Sequence, residues 1–119
     1  MKVLIAGSRG INEFNFDGLI PTEADLIISG GARGIDTLAE KYADKNNISK
    51  LILRPKYEKY GKSAPLIRNK EMIELADFVL VVWDGSSRGT KYTIDYSKKL
   101  GKQIAVVTEE NKDIAIAQN

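Results

Sequence analysis

A glycine-rich turn set between an apolar run and an amphipathic run constrains this chain more than any other feature. Leu26-Ile27-Ile28 leads into Ser29-Gly30-Gly31-Ala32-Arg33-Gly34-Ile35-Asp36. From Ile35 the apolar positions are Ile35, Leu38, Ala39, Tyr42 and Ala43, at i, i+3, i+4, i+7 and i+8. That spacing predicts a helix buried along one side. The order is therefore strand, turn, helix. Glycine has no Cβ and reaches φ > 0, so the N–H groups of such a turn gather into a concave nest. The following helix adds unpaired N–H groups and the positive end of its dipole. Phosphates and other anions bind at such turns. A connection needed only for close helix–sheet packing uses the same residues.

The unit recurs along the chain. Residues 2–6 are an apolar run stopped by Gly7-Ser8-Arg9-Gly10, and residues 50–53 are stopped by Arg54-Pro55. Residues 78–83 are continuously apolar, the pattern of a strand buried on both faces, and Asp84-Gly85-Ser86-Ser87-Arg88-Gly89-Thr90 follows them. Residues 25–29 and 103–108 complete five strands. A helix is predicted from about Pro65, with Asn69, Met72, Ile73 and Ala76 on its inner face. Another follows Thr90, with Thr93, Ile94, Ser97 and Leu100 on one face and Gly101 as its C-terminal stop. Residues 11–24 read as a short helix or a flap, because Gly18 and Pro21 oppose a long helix. Residues 55–63 read as a loop, and residues 109–119 as a C-terminal tail or short helix. Unbroken apolar strands alternating with helices predict an α/β fold. With right-handed crossovers it is a doubly wound, mostly parallel five-stranded Rossmann-like sheet with helices on both faces. Residues 1–108 form a single domain.

Composition acts mainly by exclusion. The 119 residues contain no cysteine, hence no disulfide, no thiolate nucleophile and no zinc–thiolate site. They contain no histidine, the commonest general base and metal ligand. No metal and no cofactor is expected. Any catalysis falls to carboxylates, lysine, tyrosine, hydroxyls or arginine. The net charge of +2 does not by itself suggest nucleic acid or a membrane surface. No apolar run approaches a membrane span, and residues 1–7 read better as a strand than as a signal segment. Cytoplasmic location is the default expectation.

In doubly wound sheets ligands bind beyond the carboxyl ends of the strands, where strand order reverses. The five arginines follow that rule. Arg9, Arg33, Arg54 and Arg88 come directly after predicted strands one to four, and Arg68 lies near the start of a helix at the same edge. Arginine is the forked donor suited to phosphate and carboxylate. The pattern predicts an anion site with Gly30, Gly31 and Gly34 presenting N–H groups. Arg9, Arg33 and Arg68 neutralise the charge, and Ser87, Gly89 and Thr90 hold a second phosphate or a ribose. Asp36 either complements the start of its own helix or binds a ribose hydroxyl. Asn69, polar on an apolar face, either meets a ligand or ties down a neighbouring turn. Tyr57 and Tyr60 are candidates for stacking on a base, whereas Trp83 reads as core.

Four segments, taken in order, resemble one known family. They are Gly7-Ser8-Arg9, Ser29 through Asp36, Arg68-Asn69-Lys70-Glu71-Met72, and Asp84-Gly85 through Gly89-Thr90. Together they resemble the SLOG superfamily, in particular its small YspA/YpsA-related members. The resemblance implies a Rossmann-like domain that binds a nucleotide or nucleotide-derived small molecule, as a sensor or sequestering module. It also implies self-association as a homo-oligomer. It extends the candidate ligand-binding set to Gly7, Ser8, Arg9, Ser29, Ala32, Asp84 and Gly85. The related LOG phosphoribohydrolases cleave a base from a nucleoside monophosphate, and their motif resembles PGGxGTxxE. Here the proline and one glycine are absent and Thr93 stands at the position of the glutamate. If the chain is such an N-glycosidase, Arg68 and Asp36 are the candidate catalytic residues. Ser29 to Asp36 also resembles the glycine-rich motif of DprA, whose domains bind single-stranded DNA. The small basic excess and the lack of a long aromatic–basic groove argue against nucleic acid as a partner.

Overall fold

The computed structural model describes residues 1–109 in full and the backbone of residues 113–117. Five parallel strands form as expected: β1 (Lys2–Gly7), β2 (Leu26–Ser29), β3 (Ser49–Ile52), β4 (Phe78–Val82) and β5 (Gln103–Val107). The helices are α1 (Ile35–Lys45), the single turn α2 (Tyr57–Tyr60), α3 (Ala64–Leu75) and α4 (Arg88–Lys99). The strand order is β3-β2-β1-β4-β5-β6, in which β6 (Asp113–Ala117) pairs antiparallel with β5. The fold is a doubly wound α/β, Rossmann-like sheet. Among the described residues, no helix is long and apolar enough to cross a membrane.

Period-two alternation assigns the apolar residues of β1, β2, β4 and β5 to one of two cores, while β3 at the edge, with Ser49, Lys50 and Leu51 exposed, joins neither. Val3, Ile5, Ile27, Leu80, Val82 and Val107 face α1. Leu4, Ile28, Val79, Val81, Ile104 and Val106 face α3 and α4, where Met72, Ile73, Ala76 and Ile94 meet them. Both sides of a strand are thus apolar, which is why the strands read as unbroken hydrophobic runs. Burying a side chain of this size contributes roughly 1.5–3 kcal/mol, so each layer holds its helices firmly.

Four expectations are corrected. Residues 11–24 form neither a helix nor a flap. They make an irregular cover on the α1 side, with Ile11 and Phe16 buried. Phe16 meets Phe14 and Tyr42 edge-on, with ring centroids 4.9 and 5.5 Å apart, so side chains do the anchoring that a crossover helix would do. Residues 55–63 are not a loop throughout, because α2 and a 3-10 turn (Gly61–Ser63) lead directly into α3. The segment read as a tail or short helix contains β6, which supplies hydrogen-bond partners to β5. In α4, Thr93, Ile94 and Ser97 are buried as predicted, but Leu100 is exposed.

Chain order reverses between β1 and β4, from which the connections run in opposite directions. Gly7 stands level with Val82, so the loops after these two strands leave the sheet side by side. That places the glycine-rich turn after β2, the start of α3 and the start of α4 around one opening.

Candidate functional site

The turn after β2 is held in shape by its own side chains. The Ala32 N–H donates to Asp36 Oδ2 at 3.1 Å. The Gly31 N–H donates to Ser29 Oγ at 3.3 Å, and that hydroxyl lies 3.2 Å from both the Asp36 carbonyl and a Glu40 carboxylate oxygen. Gly34 precedes α1 at φ 75°. A Cβ there would stand 2.5 Å from the Arg9 carbonyl oxygen and 2.6 Å from that of Ser8. The loop after β1 therefore rests directly on the backbone of this turn. The N–H groups of Arg33 and Gly34 meet no acceptor among the described residues, so the turn keeps free donors.

Asp36 is buried within the first turn of α1. Burial raises its pKa above the usual carboxylate range. The Ala32 N–H bond and the charges of Arg68 and Arg9 oppose that rise, and Glu40 adds to it. Asp36 therefore does shape its own helix start, by holding the turn in front of it.

Arg68 departs from its expected role as a free anion ligand. It is buried, and Nη1 donates to the carbonyls of Gly30 and, at 3.1 Å, Leu53. Nε donates to Asn69 Oδ1 at 2.9 Å. The guanidinium ties the ends of β2 and β3 to α3, and Asn69 steadies it. Burial lowers its pKa against the attraction of Asp36, yet a guanidinium remains charged at any ordinary pH. Arg9 and Arg33 are exposed and make no hydrogen bond or ion pair among the described residues. Arg54 donates through Nη1 to the Gly31 carbonyl at 3.0 Å.

On the β4 side, Asp84 closes its own loop. Its Oδ1 accepts the N–H groups of Ser86 and Ser87 at 2.9 Å each, which holds its pKa below the usual range. Its N–H donates to Ser8 Oγ at 3.1 Å, joining the loops after β1 and β4. Trp83, half-buried against the edge of the core, donates Nε1–H to the Ser87 carbonyl at 3.2 Å. Ser87 caps α4, accepting from the Thr90 hydroxyl at 3.1 Å and the Thr90 N–H at 3.5 Å.

Two hollows open at this edge. The first, of about 440 Å³, lies at the reversal of strand order. Of the expected ligand-binding residues it gathers Gly7, Arg9, Ala32, Asp36, Arg68, Asn69, Asp84, Ser87, Gly89 and Thr90. The second, of about 680 Å³, lies beside it and gathers Arg9, Gly30, Gly31, Ala32, Arg33 and Arg68. Arg54, Pro55 and Tyr57 also line the second hollow; Tyr57 is one of the two tyrosines expected to stack on a base, whereas Arg54 and Pro55 were given no ligand contact. Arg54 had a visible signal, an arginine directly after a strand.

Four expected residues line neither hollow. Ser8 and Ser29 are buried and their hydroxyls serve the framework. Gly34 carries the loop after β1, and Gly85 turns outward with φ 90°. Arg88 is exposed beyond both hollows. Thr93 lines the first hollow, where its hydroxyl donates back to the Gly89 carbonyl at 3.2 Å.

No family model matches the chain, and no solved structure matches it. Among curated proteins it is similar to the Gene 61 protein of Mycobacterium phage D29, with 33% identity over 82 residues, 64% of this chain. The match spans 66% of that protein's length, just under two thirds.

Proposed function

We propose that this chain binds a nucleotide or nucleotide-derived phosphorylated compound at the carboxyl edge of its parallel strands, as a sensor or sequestering module. One observation carries the reading. Arg9 and Arg33 form no ion pair among the described residues and stand beside a glycine turn whose Arg33 N–H is free, at hollows of ligand size. Each charge-assisted bond to a phosphate contributes roughly 1.5–3 kcal/mol. The start of α4 adds the Gly89 N–H and the Ser87 hydroxyl, while the Thr90 N–H and hydroxyl are spent on Ser87 Oγ. The likeness of four motifs to the SLOG superfamily agrees with this chemistry.

Isothermal titration against a panel of nucleoside phosphates tests the reading. Arg9→Ala and Arg33→Ala each weaken the bound nucleotide by about tenfold or more, as expected for one lost charged bond. Their unfolding free energies stay within about 0.5 kcal/mol of the parent, because both side chains are exposed. Arg68→Ala behaves differently: it strands the carbonyls of Gly30 and Leu53 and lowers stability by about 2–3 kcal/mol. Unchanged affinity in both Arg9→Ala and Arg33→Ala refutes the proposal.

A second reading is N-glycosidic hydrolysis of a nucleoside phosphate. It is favoured by Asp36, a carboxyl group of raised pKa lining the first hollow. It requires free base to be released from nucleoside monophosphates, and the release to stop in Asp36→Asn.

A further inference from the structure

Residues 55–63 lead from β3 into α3 and wall one side of the second hollow through Pro55 and Tyr57. From Lys56 to Ser63 no residue is buried, and Tyr60 alone is half-buried. The backbone hydrogen bonds of this stretch are local. The Lys59 and Tyr60 N–H groups donate to the Lys56 carbonyl at 3.1 and 3.0 Å, and the Gly61 N–H donates to that of Tyr57. Among the described residues, no side-chain hydrogen bond or ion pair joins residues 56–63 to the body of the domain. A single helical turn such as α2 has little stability of its own, and segments with so little buried surface open first.

The packing beneath the segment is also incomplete. Between it and α3 lies a void of about 10 Å³, lined in part by Tyr60, Ala64, Ile67 and Glu71. That is close to the least space that holds one water, where a settled interior would be filled by side chains. The far end is a joint: Gly61 adopts φ 56° and ψ −131°, a conformation almost confined to glycine. Neither helix start is pinned, because Lys56 before α2 and Ser63 before α3 make no side-chain cap.

Charge supplies a reason to move. The segment carries Lys56, Lys59 and Lys62 against one acid, Glu58. The hollow that it walls is lined by Arg9, Arg33, Arg54 and Arg68 and by no carboxylate. In the free chain these like charges repel. An anion in the hollow neutralises the guanidinium groups and attracts the lysines, so it binds the closed form better than the open one, as a ligand-driven shift requires.

We infer that residues 55–63 are a lid, held off by like charge in the free chain and drawn across the second hollow by a bound anion. This rests on the phosphate-binding reading above and adds a moving part to it.

Amide hydrogen exchange and brief trypsin digestion test the lid, with AMP and ATP as probes whose binding is first measured by calorimetry. In the free chain, residues 56–63 exchange about tenfold or more faster than α1 and α3, and trypsin cuts first after Lys56, Lys59 or Lys62. A bound probe slows exchange and cutting by about threefold or more, at Lys59 and Lys62 as well as at Tyr57. Lys59 and Lys62 line neither hollow, so contact with the probe does not account for their protection. Lys59→Glu combined with Lys62→Glu draws the lid inward without any probe, and exchange from Tyr57 to Tyr60 slows in the free variant. Protection that stops at Tyr57 while a probe is bound overturns the lid and leaves binding standing. So does a free chain whose residues 56–63 exchange as slowly as α3, or a charge-reversed variant that exchanges as fast as the parent. Failure of both probes to bind the folded chain overturns the reading beneath, and the anion-driven lid with it.

Discussion

Asp36 shows how a single residue carries structural and chemical work together. Its carboxylate accepts the Ala32 N–H and so shapes the turn that presents Arg33, yet it also lines the hollow at the strand reversal. Burial disfavours the charged form, so the proton leaves at higher pH in the folded chain than in the unfolded one. Between the unfolded value, roughly 3.9, and the raised folded value, the native state binds more protons than the unfolded state. The stability owed to this group is fully present below the unfolded value and is lost as pH rises through the folded one. Asp36→Asn keeps an oxygen for the Ala32 N–H and removes the titration. Urea unfolding from about pH 3.5 to pH 7 tests this: the parent declines relative to Asp36→Asn across the window and runs parallel to it above. Curves parallel throughout disprove the linkage. Asp36 was legible in the sequence as either helix complement or sugar ligand. Arg68 was legible only by position, because the carbonyls that it holds belong to Gly30 and Leu53, which are distant along the chain.

At the scale of elements, the site depends on how closely the turn after β2 approaches the loop after β1. Gly34 adopts φ 75° and ψ −129°, a conformation almost confined to glycine. Its missing Cβ leaves room for the Ser8 and Arg9 carbonyls. Gly34→Ala therefore brings backbone strain on the order of 1–3 kcal/mol and pushes the Arg9 loop away. Chemical denaturation shows the lost stability, and titration shows weaker nucleotide binding. Gly89 is the control. It lies in the first turn of α4, and a Cβ there would meet nothing within 4 Å, so Gly89→Ala leaves stability unchanged or slightly raised. Equal stability losses in the two variants count against the close approach at Gly34. The long elements were readable in advance because burial imposes a period on them: the strands through apolar runs, α1 through its five apolar positions. The single turn α2 is too short to have a period. The cover made by residues 11–24 owes its shape to Phe14, Phe16 and Tyr42 meeting across the fold, which no local pattern encodes.

At the scale of the whole molecule, the sheet separates stability from the site. The hollows gather around the ends of β1, β2, β3 and β4, whereas β6 sits at the outer edge, beyond β5. Residues 109–119 read as a tail or short helix, because pairing with β5 is a contact set by the sheet rather than by that stretch. Deleting residues 109–119 leaves β5 as an open edge whose unpaired N–H and C=O groups are a template for other strands. The shortened chain is expected to unfold at lower denaturant and to self-associate as its concentration rises, seen by sedimentation. The first loop and the α4 start remain clamped by bonds that never involve β6: Ser8 to Asp84, Ala32 to Asp36, and Arg68 to Gly30 and Leu53. Nucleotide affinity per folded molecule is therefore expected to stay within about twofold of the parent, since distant changes with no shared partners act independently. A folded, monomeric truncation that no longer binds would mean that β6 shapes the site through β5 and β4, and that the clamps around the opening do not suffice to hold it.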